Sequence, residues 1–193
     1  MWPPYEIIDD FLSAEHLSLA ENMDFDTGPL DWDVYNHTID LESNVVSNFL
    51  RRNTQFKHVK SYNPGYHNLS DETVINMRNL YEPKLKEVLQ RLAPEKVEHH
   101  THTTFNIVNV GKDYVFRIHS DKPDKLLTTV IYISDYNEGT WLYDSEDGEN
   151  ARQVDWLKNR AFSFSRNENA WHSYKSDGIK TRRTLVISLR SDM

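Results

Sequence analysis

Phe116-Arg117-Ile118-His119-Ser120-Asp121 is the stretch from which the rest of the chain can be read. Apolar and polar residues alternate into His119, as they do along a strand. Residues two apart on a strand point to the same side, so His119 and Asp121 can reach one ion together. A second imidazole, in Ala170-Trp171-His172, stands 51 residues beyond Asp121. Two imidazoles and one carboxylate hold Fe(II) on one face and leave the other face open for O₂ and a co-substrate.

Ten residues after His172, Arg182 heads the run Arg182-Arg183-Thr184-Leu185-Val186-Ile187-Ser188-Leu189. An arginine entering a β interior needs an anionic partner, because an unpaired buried charge is costly. A bidentate carboxylate from a bound ligand supplies one. Thr184 shares Arg182's strand face and adds a hydroxyl to the same carboxylate.

Working outward, residues 5–12 read as a short strand and turn. Ser13 caps a helix with Leu17, Ala20 and Met23 on one face. Ser70-Asp71-Glu72 opens a second helix, whose Val74, Met77, Tyr81, Leu85, Val88, Leu89 and Leu92 recur at three and four residues. Pro83 is expected to kink or split that helix and Pro94 to close it. Within 24–69 only fragments are assignable, at 45–50 and in the turn Tyr62-Asn63-Pro64-Gly65-Tyr66.

Beyond residue 100 the period turns to alternation. Short β runs fall at 103–110, 114–119, 126–134, 140–143, 160–164, 170–174 and 181–189, separated by signals such as Asn137-Glu138-Gly139 and Ser176-Asp177-Gly178. Helices followed by many short strands predict a mainly β sandwich or barrel braced by helices. A chain of 193 residues without repeats or linkers is read as one domain, 1–193, with helical support over 1–100 and the β core over 101–193.

Composition narrows the chemistry. There is no cysteine, so disulfides, thiolate metal sites and cysteine nucleophiles are excluded. The net charge of −8, with both signs dispersed, offers no basic stripe for nucleic acid. No apolar run approaches a membrane span, and the first residues lack a secretion signal, so a cytoplasmic protein is expected.

The order His119-x-Asp121, His172, Arg182-x-Thr184 resembles the 2-oxoglutarate- and Fe(II)-dependent dioxygenases, and among them the prolyl 4-hydroxylase-like group. Ile7-Ile8-Asp9-Asp10-Phe11-Leu12-Ser13-Ala14-Glu15 is similar to that group's strand-and-helix entry. Phe105-Asn106-Ile107-Val108-Asn109-Val110-Gly111 through Asp121 is similar to its first two barrel strands, and Trp171-His172-Ser173 to the surroundings of its distal ligand. The resemblance implies a double-stranded β-helix, the jelly roll of cupins, with supporting helices. It implies oxidative decarboxylation of 2-oxoglutarate to succinate and CO₂ coupled to hydroxylation of a C–H bond, with O₂ consumed and ascorbate a potential stimulant. His119, Asp121 and His172 would hold iron; Arg182, Tyr132 and Thr184 would hold the co-substrate, with Arg183 the alternative to Arg182. The chain departs from the group in carrying one glycine in Glu138-Gly139-Thr140-Trp141, where a pair is usual, and Asn109 where a tyrosine is common.

The substrate is left open between a protein or peptide side chain, prolyl included, and a small molecule. Trp141, Trp171, Asn109 and Arg117 are candidates for lining its pocket, Arg117 through its phase with His119, although core aromatics and an edge arginine are the plainer reading. His99-His100-Thr101-His102 reads as a solvated loop, since adjacent strand residues face opposite ways. The acidic Asp144-Ser145-Glu146-Asp147-Gly148-Glu149 loop reads as a solvated surface. A cupin-like module that binds metal or carboxylate without oxidation is the alternative function, and a hydrolytic zinc enzyme a remoter one.

Overall fold

A computed structural model describes residues 2–22, 59–62, 71–110 and 115–192. Met23, Ser70 and the fragments read at 45–50 and 63–66 lie outside them. In chain order the described elements are β1 (Tyr5–Ile8), α1 (Ala14–Asn22), β2 (Val59–Tyr62), α2 (Asp71–Leu92), a 3₁₀ turn (Pro94–His99), β3 (His102–Val110), β4 (Val115–His119) and β5 (Lys125–Tyr132). β6 (Trp141–Tyr143), β7 (Arg152–Gln153), β8 (Ala161–Phe164), β9 (Trp171–Lys175) and β10 (Arg182–Arg190) complete the set.

The strands form a six-stranded sheet in the order β1-β8-β5-β10-β3-β2 and a four-stranded sheet in the order β4-β9-β6-β7. Every pairing is antiparallel. From β3 onward the chain passes back and forth between the two sheets. The core is therefore a jelly roll, mainly β with supporting helices, as the strand pattern and the resemblance both implied. β1, β2 and β7 extend it at the sheet edges.

Alternation along the large sheet decides what each face does. Leu185, Ile187 and Leu189 of β10, Leu127 and Ile131 of β5, and Phe105 and Ile107 of β3 point outward into a core shared with the helices. Met77, Tyr81, Leu85, Val88 and Leu89 of α2 fill that core from the other side, so the expected apolar stripe packs on the sheet. The helix runs unbroken through Pro83, contrary to a split there. Tyr81 and Leu85, both fully buried, anchor the turns on either side of the proline. Ser13 caps α1 as expected, its Oγ accepting from the His16 amide at 3.2 Å.

The opposite faces of the two sheets enclose a second core of Trp2, Leu142, Val154, Phe162, Phe164 and Ala170. Close packing here explains the lone Gly139: a Cβ at that position would sit 1.7 Å from the Val154 carbonyl oxygen. Asn159, with φ of 63°, ties the entry segment to the barrel, accepting from the Leu12 amide at 2.9 Å and donating to its carbonyl at 3.0 Å. No helix among the described residues is long and apolar enough to cross a membrane.

Candidate metal centre

β4 ends at His119 and pairs with the start of β9, where His119 lies opposite His172. Their rings stand 4.2 Å apart, centroid to centroid. Asp121 follows in the turn into β5. One ligand atom from each of His119, Asp121 and His172 lies within 4.8 Å of the other two. The three donors thus stand close enough together to share one ion.

The donors are also in the right chemical state. Each imidazole meets a carbonyl two residues back along the chain: His119 Nδ1 lies 3.0 Å from Arg117 O and His172 Nδ1 2.9 Å from Ala170 O. A carbonyl only accepts, so both Nδ1 atoms carry the proton and both Nε2 atoms keep a lone pair. Burial pushes the His119 imidazole down to about 3, with neighbouring His172 adding to the effect. Burial also lowers His172. Both rings are neutral at pH 7, as metal ligation requires.

Burial by itself would raise the Asp121 carboxyl, but the Lys125 ammonium beside it opposes burial, and the carboxyl is held below the usual carboxylate range. Lys125 Nζ donates to Oδ1 at 2.7 Å, and Thr128 Oγ1 donates to Oδ2 at 2.6 Å. Arg166 Nε donates to the Asp121 carbonyl at 3.2 Å, fixing the backbone as well.

The triad opens on a cavity of about 350 Å³ that also receives Thr140, Tyr174, Arg182 and Thr184. Arg182 is 1% exposed. Its guanidinium lies over three ring faces, 4.6 Å from the centroid of Tyr174, 5.3 Å from Trp156 and 5.9 Å from Tyr132. Its Nε donates to the Glu138 carbonyl at 3.1 Å. Thr184, also 1% exposed, faces the cavity two residues along. This is a cationic cradle with a hydroxyl beside it, suited to a carboxylate.

Arg183 turns the other way. Its guanidinium Nη1 donates to the carbonyls of Ala20 and Glu21 at the end of α1, and its Nε to Asn109 Oδ1 at 3.4 Å. Arg182 thus lies on the cavity and Arg183 at the end of α1. Tyr132 is fully buried, stacked on Trp156 at 4.3 Å. Its hydroxyl accepts from the Thr140 amide at 2.9 Å and lies 3.2 Å from Thr140 Oγ1. Tyr132 therefore backs Thr140, and it is Thr140 that lines the cavity.

The other pocket candidates are not brought to it. A bulge between Phe116 and His119 breaks the phase of β4, so Phe116 joins the cavity and Arg117 is exposed. Phe116 stacks on Tyr174 at 5.1 Å and meets His119 edge-on at 4.6 Å. Asn109 lies on the outer face with Arg183. Trp141 and Trp171 alternate with the inward Leu142 and His172, so they lie on the outer face of the small sheet. Trp141 bonds Glu138, and the Trp171 carbonyl accepts from Trp2 Nε1 at 2.7 Å. The acidic loop folds back on itself, with Asp144 taking the Trp2 amide at 3.0 Å. Of the histidine run, His99 and His100 belong to the turn before β3, whereas His102 opens β3 and reaches the cavity.

Thr128, Lys125, Thr140 and Tyr174 were not singled out in the sequence. Phase was the available signal: Tyr174 lies two residues from His172, and Thr128 and Tyr132 share a face of β5.

No family model matches the sequence, and no curated protein matches it. Solved structures do match the fold. A prolyl-4-hydroxylase from Pseudomonas putida aligns over 98% of this chain and 93% of its own, with a TM-score of 0.56 and 12% identity. A prolyl hydroxylase from Trichoplax adhaerens, in complex with a hypoxia inducible factor peptide fragment, aligns over 97% and 83%, with a TM-score of 0.63 and 14% identity. The dioxygenase for auxin oxidation 1 of Arabidopsis thaliana, bound to 2-oxoglutarate, aligns over 73% and 66%, with a TM-score of 0.56 and 14% identity. The chain has the double-stranded β-helix fold of the 2-oxoglutarate/Fe(II) oxygenases. Within that class its fold neighbours include prolyl 4-hydroxylase-like proteins.

Proposed function

We propose that this chain is an Fe(II)/2-oxoglutarate-dependent dioxygenase that hydroxylates a C–H bond of its substrate and converts 2-oxoglutarate to succinate and CO₂. The observation that carries it is the sharing of one cavity by three convergent metal donors and a buried arginine–threonine cradle. His119, Asp121 and His172 hold the iron. Arg182 and Thr184 take the distal carboxylate of 2-oxoglutarate, with Thr140 completing the contact and Tyr132 fixing Thr140 in place. When bound, the iron supplies the oxidation, activating O₂ with electrons drawn from 2-oxoglutarate. The protein's part is to keep both imidazoles neutral, aim their Nε2 lone pairs, and seat the co-substrate in a wall of aromatic rings that shuts out water. The 193 residues act as one catalytic domain in the cytoplasm, on a protein, peptide or small-molecule substrate.

The test is succinate formation from 2-oxoglutarate with Fe(II) and ascorbate. Turnover should need iron and vanish in Asp121→Ala; iron-independent turnover, or none across peptide and small-molecule panels, would count against the reading. One observation favours a binding module instead: both Asp121 oxygens already accept hydrogen bonds, one of them from the Lys125 ammonium. In that case 2-oxoglutarate binds the metal-loaded protein tightly and no substrate elicits decarboxylation.

A further inference from the structure

The inward face of β10 does not stop at the metal. After Arg182, Thr184 and Val186 come Ser188 and Arg190, on the same side of the strand. Ser188 pairs in register with Thr104 of β3 and Thr128 of β5, and Thr128 bonds Asp121. Arg190 pairs with His102 and Lys125 one step further on. Arg182 and Arg190 therefore stand toward opposite ends of one cavity, with the metal donors approached between them. His102, Thr104, Lys125 and Arg190 all line the far end.

That end holds polar atoms with nothing to bond. Ser188 is 1% exposed and its Oγ has no hydrogen-bond partner; nor has Thr104 Oγ1, nor Arg190 Nε. Buried donors are nearly always satisfied, because an unmade bond leaves the full cost of desolvation. Ser188 Oγ and Thr104 Oγ1 on facing positions of two paired strands, with Arg190 Nε one step on, mark a place built for a group the chain does not itself provide; Asp124 Oδ1, beside Arg190, is the one unpartnered acceptor near them among the described residues. Arg190's other edge is engaged, with Nη1 donating to Asp124 Oδ2 at 2.5 Å, so the guanidinium is held in position while its Nε is left over.

Charge points the same way. In a chain of net charge −8, the cavity wall carries Lys125, Arg182 and Arg190 against the single carboxylate of Asp121. A divalent ion and a dianionic co-substrate cancel each other, and Asp124 behind the wall offsets one more cation. An excess of positive charge remains in a poorly solvated space, where it favours an anion. The volume of about 350 Å³ is at the small end for ligand pockets.

We propose that the substrate carries a carboxylate, bound at this far end by Arg190 Nε, Ser188 Oγ and Thr104 Oγ1. The C–H bond to be oxidised is thereby held over the metal while Arg182 holds the co-substrate's carboxylate at the other end. This rests on the dioxygenase reading, and deepens it to a substrate class: small carboxylic acids.

The test uses a matched pair of probes, benzoate and benzamide, which share a ring and differ in charge. Each is titrated by ligand-observed NMR into protein loaded with Zn(II) and N-oxalylglycine, an inert 2-oxoglutarate analogue. Benzoate should bind about tenfold more tightly than benzamide, as expected of hydrogen bonds to a charged group. Arg190→Gln and Ser188→Ala should each remove most of that preference, and Arg190→Lys should keep part of it. N-oxalylglycine binding should survive all three. If Arg190→Gln does not fold, Ser188→Ala and Thr104→Val make the same test without touching the ion pair to Asp124. Equal affinity for the two probes, or a preference untouched by these variants, overturns the subsite. Failure of N-oxalylglycine to bind the Zn(II)-loaded wild type overturns the dioxygenase reading instead. The benzoate preference in metal-free protein then still decides for or against the subsite.

Discussion

Thr128→Val removes one hydroxyl at nearly constant volume from the most demanding position in the site. In the wild type, Thr128 Oγ1 donates to Asp121 Oδ2 at 2.6 Å, and both residues are buried, at 3% and 7% exposure. A hydrogen bond to a charged acceptor contributes about 1.5–3 kcal/mol. Lys125 stays on the other oxygen, so the carboxylate remains ionised but loses its second partner. For a chain of this size each kcal/mol corresponds to about 2–4 °C in Tm. Metal-free Thr128→Val should therefore melt about 3–12 °C below the wild type at neutral pH. The pH dependence has a definite sign. Asp121's folded pKa is depressed, so its contribution is complete above the unfolded value of 3.8 and is lost as pH falls through the lower folded value. The gap between variant and wild type should be widest at neutral pH and shrink as the pH drops below about 4. Thermal unfolding followed by circular dichroism across that range is the assay. A Tm within about 1 °C of the wild type at pH 7, or a gap that ignores pH, refutes the picture of Asp121 as a buried carboxylate held ionised by its neighbours.

Four further outcomes follow from the same geometry. Arg182→Gln should abolish binding of N-oxalylglycine to the Zn(II)-loaded protein, whereas Arg183→Gln should leave it intact and lower Tm by loosening the end of α1; calorimetric titration and melting separate the two. Because both imidazoles are already neutral at pH 7, Zn(II) binding should release close to no protons from them, which titration in buffers of different ionisation enthalpy will read. Their lowered pKa values also mean that the unfolded chain binds protons that the folded chain does not, so metal-free stability should fall as pH drops from 7 to 5, by up to about 2 kcal/mol per histidine; stability flat over that interval argues that the rings are not buried as described. Gly139→Ala should force the turn between β5 and β6 away from Val154 and displace Thr140, weakening N-oxalylglycine binding as well as stability, and a variant with both unchanged would contradict that close approach.

The jelly roll was legible because its strands alternate and its turns carry asparagine, aspartate and glycine at the breaks, signals set by local chemistry. The triad was legible because its spacing follows strand phase. What escaped was whatever depended on partners across the sheets. Arg117 shares the phase of His119 on paper, but the bulge in β4 turns Phe116 inward instead, and a bulge is dictated by the pairing with β9. Pro83 looks like a helix breaker until Tyr81 and Leu85 are seen buried on either side of it. Tyr132 sits at the expected position, but its hydroxyl is claimed by Thr140 in the turn before β6, a contact that no sequence period encodes. Arg182 and Arg183 could not be told apart by spacing; one strand step sends them to opposite faces.

That single step has a consequence for how the chain can vary. Along β10 the residues facing the helices and those on the cavity side are interleaved, Leu185, Ile187 and Leu189 between Thr184, Val186 and Arg190, which line the cavity, and Ser188, which shares their side of the strand. Losing or gaining one residue within the strand would thread arginine into the aliphatic core and leucine into the polar wall at the same stroke. Chemistry and solidity are thus written in one reading frame. Substitution can retune the cavity position by position, but no change of length in β10 can alter the site while sparing the fold.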